Sequence, residues 1–349
     1  MQRTAVVSES GLRDLLGRII ETSRVMAPVK RGKLSYDFEW ISSPDDVELD
    51  YVRTVLPPKK ALLPPREDLL KFEREDAGAS PVIEEEPFVL FGVHSCDLTG
   101  IRELDWAMGQ RHGVPDPHYL ARRKAATIVG MSCSPDEYCF CTSVGSSDTK
   151  EGADLFVTAI DGGYFVEVLS EKGEELMKLA PDAREASADD EIKAKAALEA
   201  RKEQITNKIN APAEKLPGLL EQNYASEIFE ATAERCYSCG TCTNVCPTCF
   251  CFDVDDEVDL LLSSGTRERK YDSCQFQDFA LVAGGHNFRG DRSDRVRHRW
   301  FRKFVYLAQE HGRPFCVGCG RCSKQCTAGI SLVDVVNSVL AEAREEVAT

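Results

Sequence analysis

The sequence predicts two domains: an α/β or α+β N-terminal domain, then a mainly helical, cysteine-rich C-terminal domain. Three observations carry this. Phe88–Val93 and Ala126–Met131 are short, continuous apolar runs, the pattern of strands buried on both faces. Residues 171–232 turn charged and Ala-rich with helical spacing. Beyond residue 235, eight of the fifteen cysteines fall into two matched motifs. The expected division is 1–170, a helical connection over 171–232, and 233–349.

In chain order, residues 9–25 repeat Leu12, Leu15, Leu16, Ile19 and Ile20 at helical spacing, with Ser10 as a candidate cap. Leu34–Ile41 reads as a strand. The prolines of Val55–Glu67 forbid a regular helix and suggest an ordered crossing segment. Lys59 and Lys60 within it face either a partner or cofactor, or solvent. Residues 75–87 are acidic and Pro-containing, a surface loop. The Phe88–Val93 strand ends at His94-Ser-Cys-Asp97, and a helix follows with Leu98, Ile101, Leu104 and Met108 on one face and Asp97 as its N-cap. The Ala126–Met131 strand ends at Ser132-Cys133. Cys96 and Cys133 thus both follow strand ends, where open parallel sheets gather ligands. Residues 154–160 and 164–168, joined through Asp161-Gly162-Gly163, read as a hairpin. The helical connection breaks near Pro212 and Pro217. Val296, Trp300, Phe304 and Leu307 form a core stripe. Ser331 and Asp334 open the last helix in a capping-box pattern, and residues after 343 are expected to fray.

The C-terminal motifs carry the chemistry. Cys236-Tyr-Ser-Cys239-Gly-Thr-Cys242-Thr-Asn-Val-Cys246-Pro247 reads C-x2-C-x2-C-x3-C-P, the signature of an iron–sulfur cluster loop. Cys316-Val-Gly-Cys319-Gly-Arg-Cys322-Ser-Lys-Gln-Cys326 repeats it. Three closely spaced thiolates wrap three corners of a cubane, and the fourth cysteine of each motif serves the other cluster. That assigns Cys236, Cys239, Cys242 and Cys326 to one [4Fe-4S] cluster, and Cys316, Cys319, Cys322 and Cys246 to a second. Gly240 and Gly320, after each second cysteine, permit positive φ and close backbone approach. The alternative of zinc usually presents two separated C-x2-C pairs. The expected C-terminal fold is therefore a helical, ferredoxin-like dicluster domain.

Cys96, Cys133, Cys139 and Cys141 make a further set of four, expected to hold a third [4Fe-4S] cluster; the alternative is that some are buried apolar thiols. With four thiolates there, His94, His112 and His118 are read as packing or surface residues. Cys249, Cys251 and Cys274 are left over as part of a third cluster, replacement ligands, redox thiols, or packing around a cluster. Residues 289–303 carry seven basic side chains against Asp291 and Asp294. They either compensate anionic clusters, meet an acidic partner, or form a solvated helix face.

The balance of 43 basic and 58 acidic residues, net −15, argues against nucleic acid or an anionic membrane as partner. No run approaches the roughly 18 apolar residues of a membrane span, and the N-terminus lacks a secretory apolar core. The expectation is a cytoplasmic protein. Gly284-Gly285-His-Asn-Phe-Arg-Gly290 has the wrong spacing for a dinucleotide loop, so no nucleotide or flavin is expected on this chain.

Cys236–Asp253, with its C-P-T-C-F-C-F-D ending, resembles the beta subunit of sulfhydrogenases, the soluble NAD(P)-linked [NiFe] hydrogenases; it is similar also to the corresponding iron–sulfur subunit of anaerobic sulfite reductase. The resemblance extends to Pro57–Glu67, Phe91–Asp97, Cys139–Cys141, Asp272–Cys274 and Cys316–Cys322. It implies a [4Fe-4S] electron-transfer subunit that works beside a flavin-containing NAD(P)-binding subunit, plus a catalytic subunit; no catalytic residue is implied on this chain. Thr327 departs from the pattern, which usually has proline after the last cysteine. The expected function is electron transfer in a cytoplasmic hydrogenase. The alternatives are the same wiring in a sulfite reductase, direct reduction of sulfur or polysulfide, and a zinc scaffold.

Overall fold

The computed structural model describes residues 3–33, 35–74 and 78–348, with side chains through residue 342. Leu34 and residues 75–77, which fall in two of the expected elements, lie outside the described residues. The chain divides into two compact units. The first holds Met1–Leu63, Ile83–Asp136 and Ser146–Ile205; the second holds Pro64–Val82, Glu137–Gly145 and Thr206–Thr349. The boundary at 205 falls inside the expected connection, and two pieces of the N-terminal region belong to the second unit.

The first unit is built on an eight-stranded mixed sheet among the described residues. Its order is Arg184–Glu185, Thr4–Val7, Gly163–Val168, Leu155–Ile160, Ala126–Met131, Phe88–His94, Arg24–Arg31 and Ser35–Ile41. The centre is parallel, which is why Phe88–His94 is buried along its whole length. Alternation then sorts the faces. Val89, Phe91, Val129 and Val157 join a core with Leu12, Leu15 and Leu16 of the helix Glu9–Thr22. Val6 and Phe165 point the other way, against Ala194 of the helix Ala188–Glu203. The first helix is capped by Ser8, not Ser10: its hydroxyl accepts from Gly11 N at 2.9 Å. Asp97 is likewise not a cap. The helix Ser95–Gly109 is capped three residues earlier, at His94, and Asp97 is buried in its first turn.

The crossing segment forms a short 3-10 turn, Pro58–Ala61, in which Lys59 is buried and Lys60 pairs with Asp37 at 2.8 Å. Neither lysine is a free surface charge. His94 and His118 are buried and His112 is exposed, as packing and surface residues should be.

The second unit departs from a mainly helical domain. The insert between the cysteine motifs folds into a hairpin, Phe252–Val258 with Ser264–Tyr271. Arg66–Glu73 and Gly78–Pro81 extend it to a four-stranded antiparallel sheet. Arg269 and Glu67, opposite each other across strands, form a buried ion pair with contacts of 2.6 and 2.8 Å. The helical part packs Leu216–Gln222, Ile228–Arg235, Arg292–Phe301 and Leu332–Ala348 around Phe229, Val296, Trp300, Phe304 and Val336. The expected stripe is core. A π-turn, Arg302–Tyr306, continues the helix Arg292–Phe301 and places Lys303, Phe304 and Val305 all in the interior. The last helix spans Leu332–Ala348, with the Ser331 hydroxyl accepting from Asp334 N; the fraying expected after 343 falls outside the described side chains.

Candidate metal centres

The two cysteine motifs fold alike, and the reason is local. In the first loop, the helix Ile228–Arg235 ends at Cys236, and the chain turns through Ser238 at φ +53° and Gly240 at φ +74°. In the second, Gly318 at φ +63° and Gly320 at φ +72° occupy the matching positions. Left-handed residues at these two points curl the loop and aim successive N–H groups inward; Ser238 N donates to Cys236 Sγ at 3.4 Å. A single helical turn follows each, Thr241–Asn244 and Arg321–Lys324. The glycines after the second cysteines were expected to be left-handed. Ser238 was not, since serine gives no such signal.

Each loop is backed by a distant segment that sequence reasoning did not place there. A Cβ on Gly240 would stand 2.7 Å from the Phe276 ring and 3.0 Å from Ser273 Cβ. A Cβ on Gly320 would stand 2.5 Å from the Tyr138 carbonyl oxygen, and one on Gly318 2.5 Å from Cys141 Cα. Phe140 N donates to Gly318 O at 2.8 Å. Residues 137–145 are therefore a wall of the second loop.

Two cavities result. The first, about 40 Å³, is lined by Cys236, Cys239, Cys242, Cys322 and Cys326. The second, about 20 Å³, is lined by Cys246, Cys316, Cys319 and Cys322. Both exceed the roughly 10–15 Å³ that one water needs. Cys326 borders the first cavity, Cys246 the second, and Cys322 both. Val296, Trp300 and Ile330 complete the first lining. Among the described residues, no three His, Cys, Asp or Glu side chains converge on the position of one metal ion; the thiols ring a space instead.

The electrostatics fit an anionic group. Arg299 and Lys303 are 3% and 2% exposed. Arg299 Nη1 reaches Cys249 Sγ at 3.9 Å, and Lys303 Nζ donates to Thr248 Oγ1 at 2.5 Å. Among the described residues, no carboxylate pairs with either. A lone buried cation costs several kcal/mol, so these two need negative charge nearby. Burial works to lower both, yet the surrounding sulfurs outweigh it and hold Arg299 and Lys303 above their ordinary values. Arg299 borders both cavities and Lys303 the second. Of the basic run at 289–303, then, Arg295, Arg299 and Lys303 are interior, not a solvated face.

The thiols respond to these surroundings. Burial pushes Cys242 up to about 12, against the pull of Arg299, and pushes Cys316 well above the ordinary range. A metal that binds these sulfurs must displace their protons. Cys239, exposed and 3.3 Å from the Thr241 hydroxyl, is drawn down by that contact. Cys246 is drawn down by its hydrogen bond with Cys249.

The remaining thiols divide. Cys249, Cys251 and Cys274 stay in the second unit: Cys251 hydrogen-bonds to Cys274, which that contact, Arg299, Gln275 and Arg302 together lower to about 6. Cys96 and Cys133 follow the ends of the paired strands Phe88–His94 and Ala126–Met131 in the first unit. Cys139 and Cys141 are buried in the second unit, against the Cys316 loop.

Residues 235–330 match a family model described as a 4Fe-4S dicluster domain. The chain is 40% identical over 326 residues to Sulfhydrogenase 2 subunit beta of Pyrococcus furiosus, an alignment covering 93% of this chain and 95% of that protein. No helix among the described residues is long and apolar enough to cross a membrane.

Proposed function

This chain belongs to the sulfhydrogenase beta-subunit family, and from that premise we propose that it is the iron–sulfur electron-transfer subunit of a cytoplasmic multisubunit hydrogenase. Its partners in this reading are a flavin-containing, NAD(P)-binding subunit, together with a catalytic [NiFe] subunit. Cys236, Cys239, Cys242 and Cys326 hold one [4Fe-4S] cluster, and Cys316, Cys319, Cys322 and Cys246 hold the other. Such clusters, when bound, take up and release single electrons.

The chain supplies the setting. Left-handed residues at 238, 240, 318 and 320 bring backbone N–H groups toward the sulfurs, and such contacts help to fix the potential. Val296, Trp300 and Ile330 give the first site an apolar wall. Arg299 and Lys303 offset the negative charge of thiolates and clusters. None of this forms or breaks a bond in a substrate, which fits a relay rather than a catalyst.

The observation that supports this reading most is that Cys326 borders the first cavity and Cys246 the second. Its test is anaerobic purification with iron and sulfide quantitation, then EPR on single variants. About eight irons and eight sulfides from the two motifs are expected. Cys326→Ser and Cys239→Ser should disturb one signal, and Cys246→Ser and Cys319→Ser the other. A zinc-loaded protein, or pairing of Cys326 with Cys319, would refute it.

A further inference from the structure

Arg295, Arg299 and Lys303 recur every fourth residue along the helix that runs through the π-turn, so they share one side. Their charges are not handled alike. Arg295 donates to the carbonyl oxygens of Gln275, Arg289 and Gly290, at 3.1, 3.0 and 2.5 Å. Peptide dipoles therefore solvate it. Among the described residues, Arg299 has the weak sulfur contact, and Lys303 has the Thr248 hydroxyl and, 5.8 Å away, the face of the Phe315 ring. Their fields are left to act on the thiol sites.

The two also differ in reach. The sulfurs that act on Arg299 come from both ligand sets: Cys242, Cys322 and Cys246, together with Cys249. Those that act on Lys303 are Cys246, Cys249 and Cys316, of which Cys246 and Cys316 line the second cavity. The lining repeats the distinction, since Arg299 borders both cavities and Lys303 only one.

We propose that Arg299 sets the common level of the two reduction potentials, while Lys303 sets the gap between them by acting on the second centre alone. This deepens the electron-transfer reading and rests on its ligand sets. Reduction adds one negative charge to a buried centre. A fixed cation stabilises the reduced form more than the oxidised form, and its desolvation cost is the same in both, so it raises the potential. The low effective dielectric strengthens the coupling, and burial protects it from salt. One charge shared by both centres moves them together; one charge at a single centre moves them apart.

The test is an EPR-monitored redox titration of the anaerobically purified full chain, with iron counted in each variant. Lys303→Met should lower the midpoint only of the centre whose signal Cys319→Ser disturbs. Arg299→Gln should lower both midpoints. Arg299→Lys and Lys303→Arg keep the charge and should stay near wild type. If a neutral variant loses iron, the charge-conserving variant must recover it; loss in both would mean a packing role and overturn the proposal. Equal shifts of both centres in Lys303→Met, or no shift in Arg299→Gln at full iron, would also overturn it. A wild type without iron and sulfide would instead sink the cluster reading beneath it.

Discussion

Gly318 and Ser238 occupy the same position in the two loops, yet they should respond oppositely to a side chain. Both are left-handed, at φ +63° and +53°, a conformation that costs an L-residue about 1–2 kcal/mol. Ser238 already bears that cost. Gly318→Ala adds a second one, because its Cβ would lie 2.5 Å from both Cα and N of Cys141 and 2.6 Å from the Phe140 carbonyl carbon. These are backbone atoms, fixed by the Phe140 N–H bond to Gly318 O, and cannot swing aside. Overpacking of this kind costs about 1–3 kcal/mol. Gly318→Ala should therefore destabilise the protein by about 2–5 kcal/mol in total. Ser238→Gly relieves that strain but gives up the long contact from Arg295 Nη2 to Ser238 Oγ at 3.5 Å, so it should stay within about 1 kcal/mol of wild type. Anaerobic urea unfolding monitored by circular dichroism measures both, as a midpoint shift at constant slope. A Gly318→Ala protein within about 0.5 kcal/mol of wild type would show that residues 137–145 do not wall the second loop.

Three further outcomes follow from the geometry. Arg269→Met or Glu67→Gln alone strands a buried charge or its partner and should cost about 3–5 kcal/mol, while a Leu–Met double replacement should recover most of it; urea midpoints decide. Burial, with Arg289 and Arg302, lowers His298 to about 4, below its unfolded value of about 6.5. The unfolded chain takes up this proton first, so the stability is complete above about pH 6.5 and declines toward pH 4, by at most about 1.4 kcal/mol per pH unit. His298→Gln should flatten that slope between about pH 5 and 6.5 in thermal melts. Leu261, 84% exposed at the hairpin tip, buries nothing, so Leu261→Ser should leave stability within about 0.5 kcal/mol; a larger drop in melting temperature would mean that the tip packs against the fold.

What could be read in the chain depended on whether the cause was local. The cysteine spacing is a local constraint, and it led to Cys326 bordering the first cavity and Cys246 the second. Strands Phe88–His94 and Ala126–Met131 were legible because burial on both faces writes an unbroken apolar run. Phe252–Val258 was not. It is exposed throughout and rich in aspartate, which strands usually avoid. What holds it is cross-strand charge: Asp256 with Arg267 at 2.7 Å, and Glu257 with Arg66 at 2.7 Å. The second of those partners lies far away in sequence. The same limit hid the walls behind Gly240 and Gly320, and it left the basic run undecided, because spacing along one helix cannot say which of its faces meets sulfur. The misplaced cap at Asp97 came from a local rule overridden by burial: the strand runs one residue longer, and the aspartate is carried into the interior.

The interlocking of the loops also bears on how the protein is made. The first cavity needs Cys322 and Cys326 as well as the earlier loop, and the second draws on Cys246, the Cys316 loop and residues 137–145 behind it. A nascent chain that has reached residue 310 on the ribosome holds three thiols of the first set, Cys236, Cys239 and Cys242, and one of the second, Cys246, and can complete neither. A premature stop before Cys316 therefore leaves both thiol sets incomplete at once.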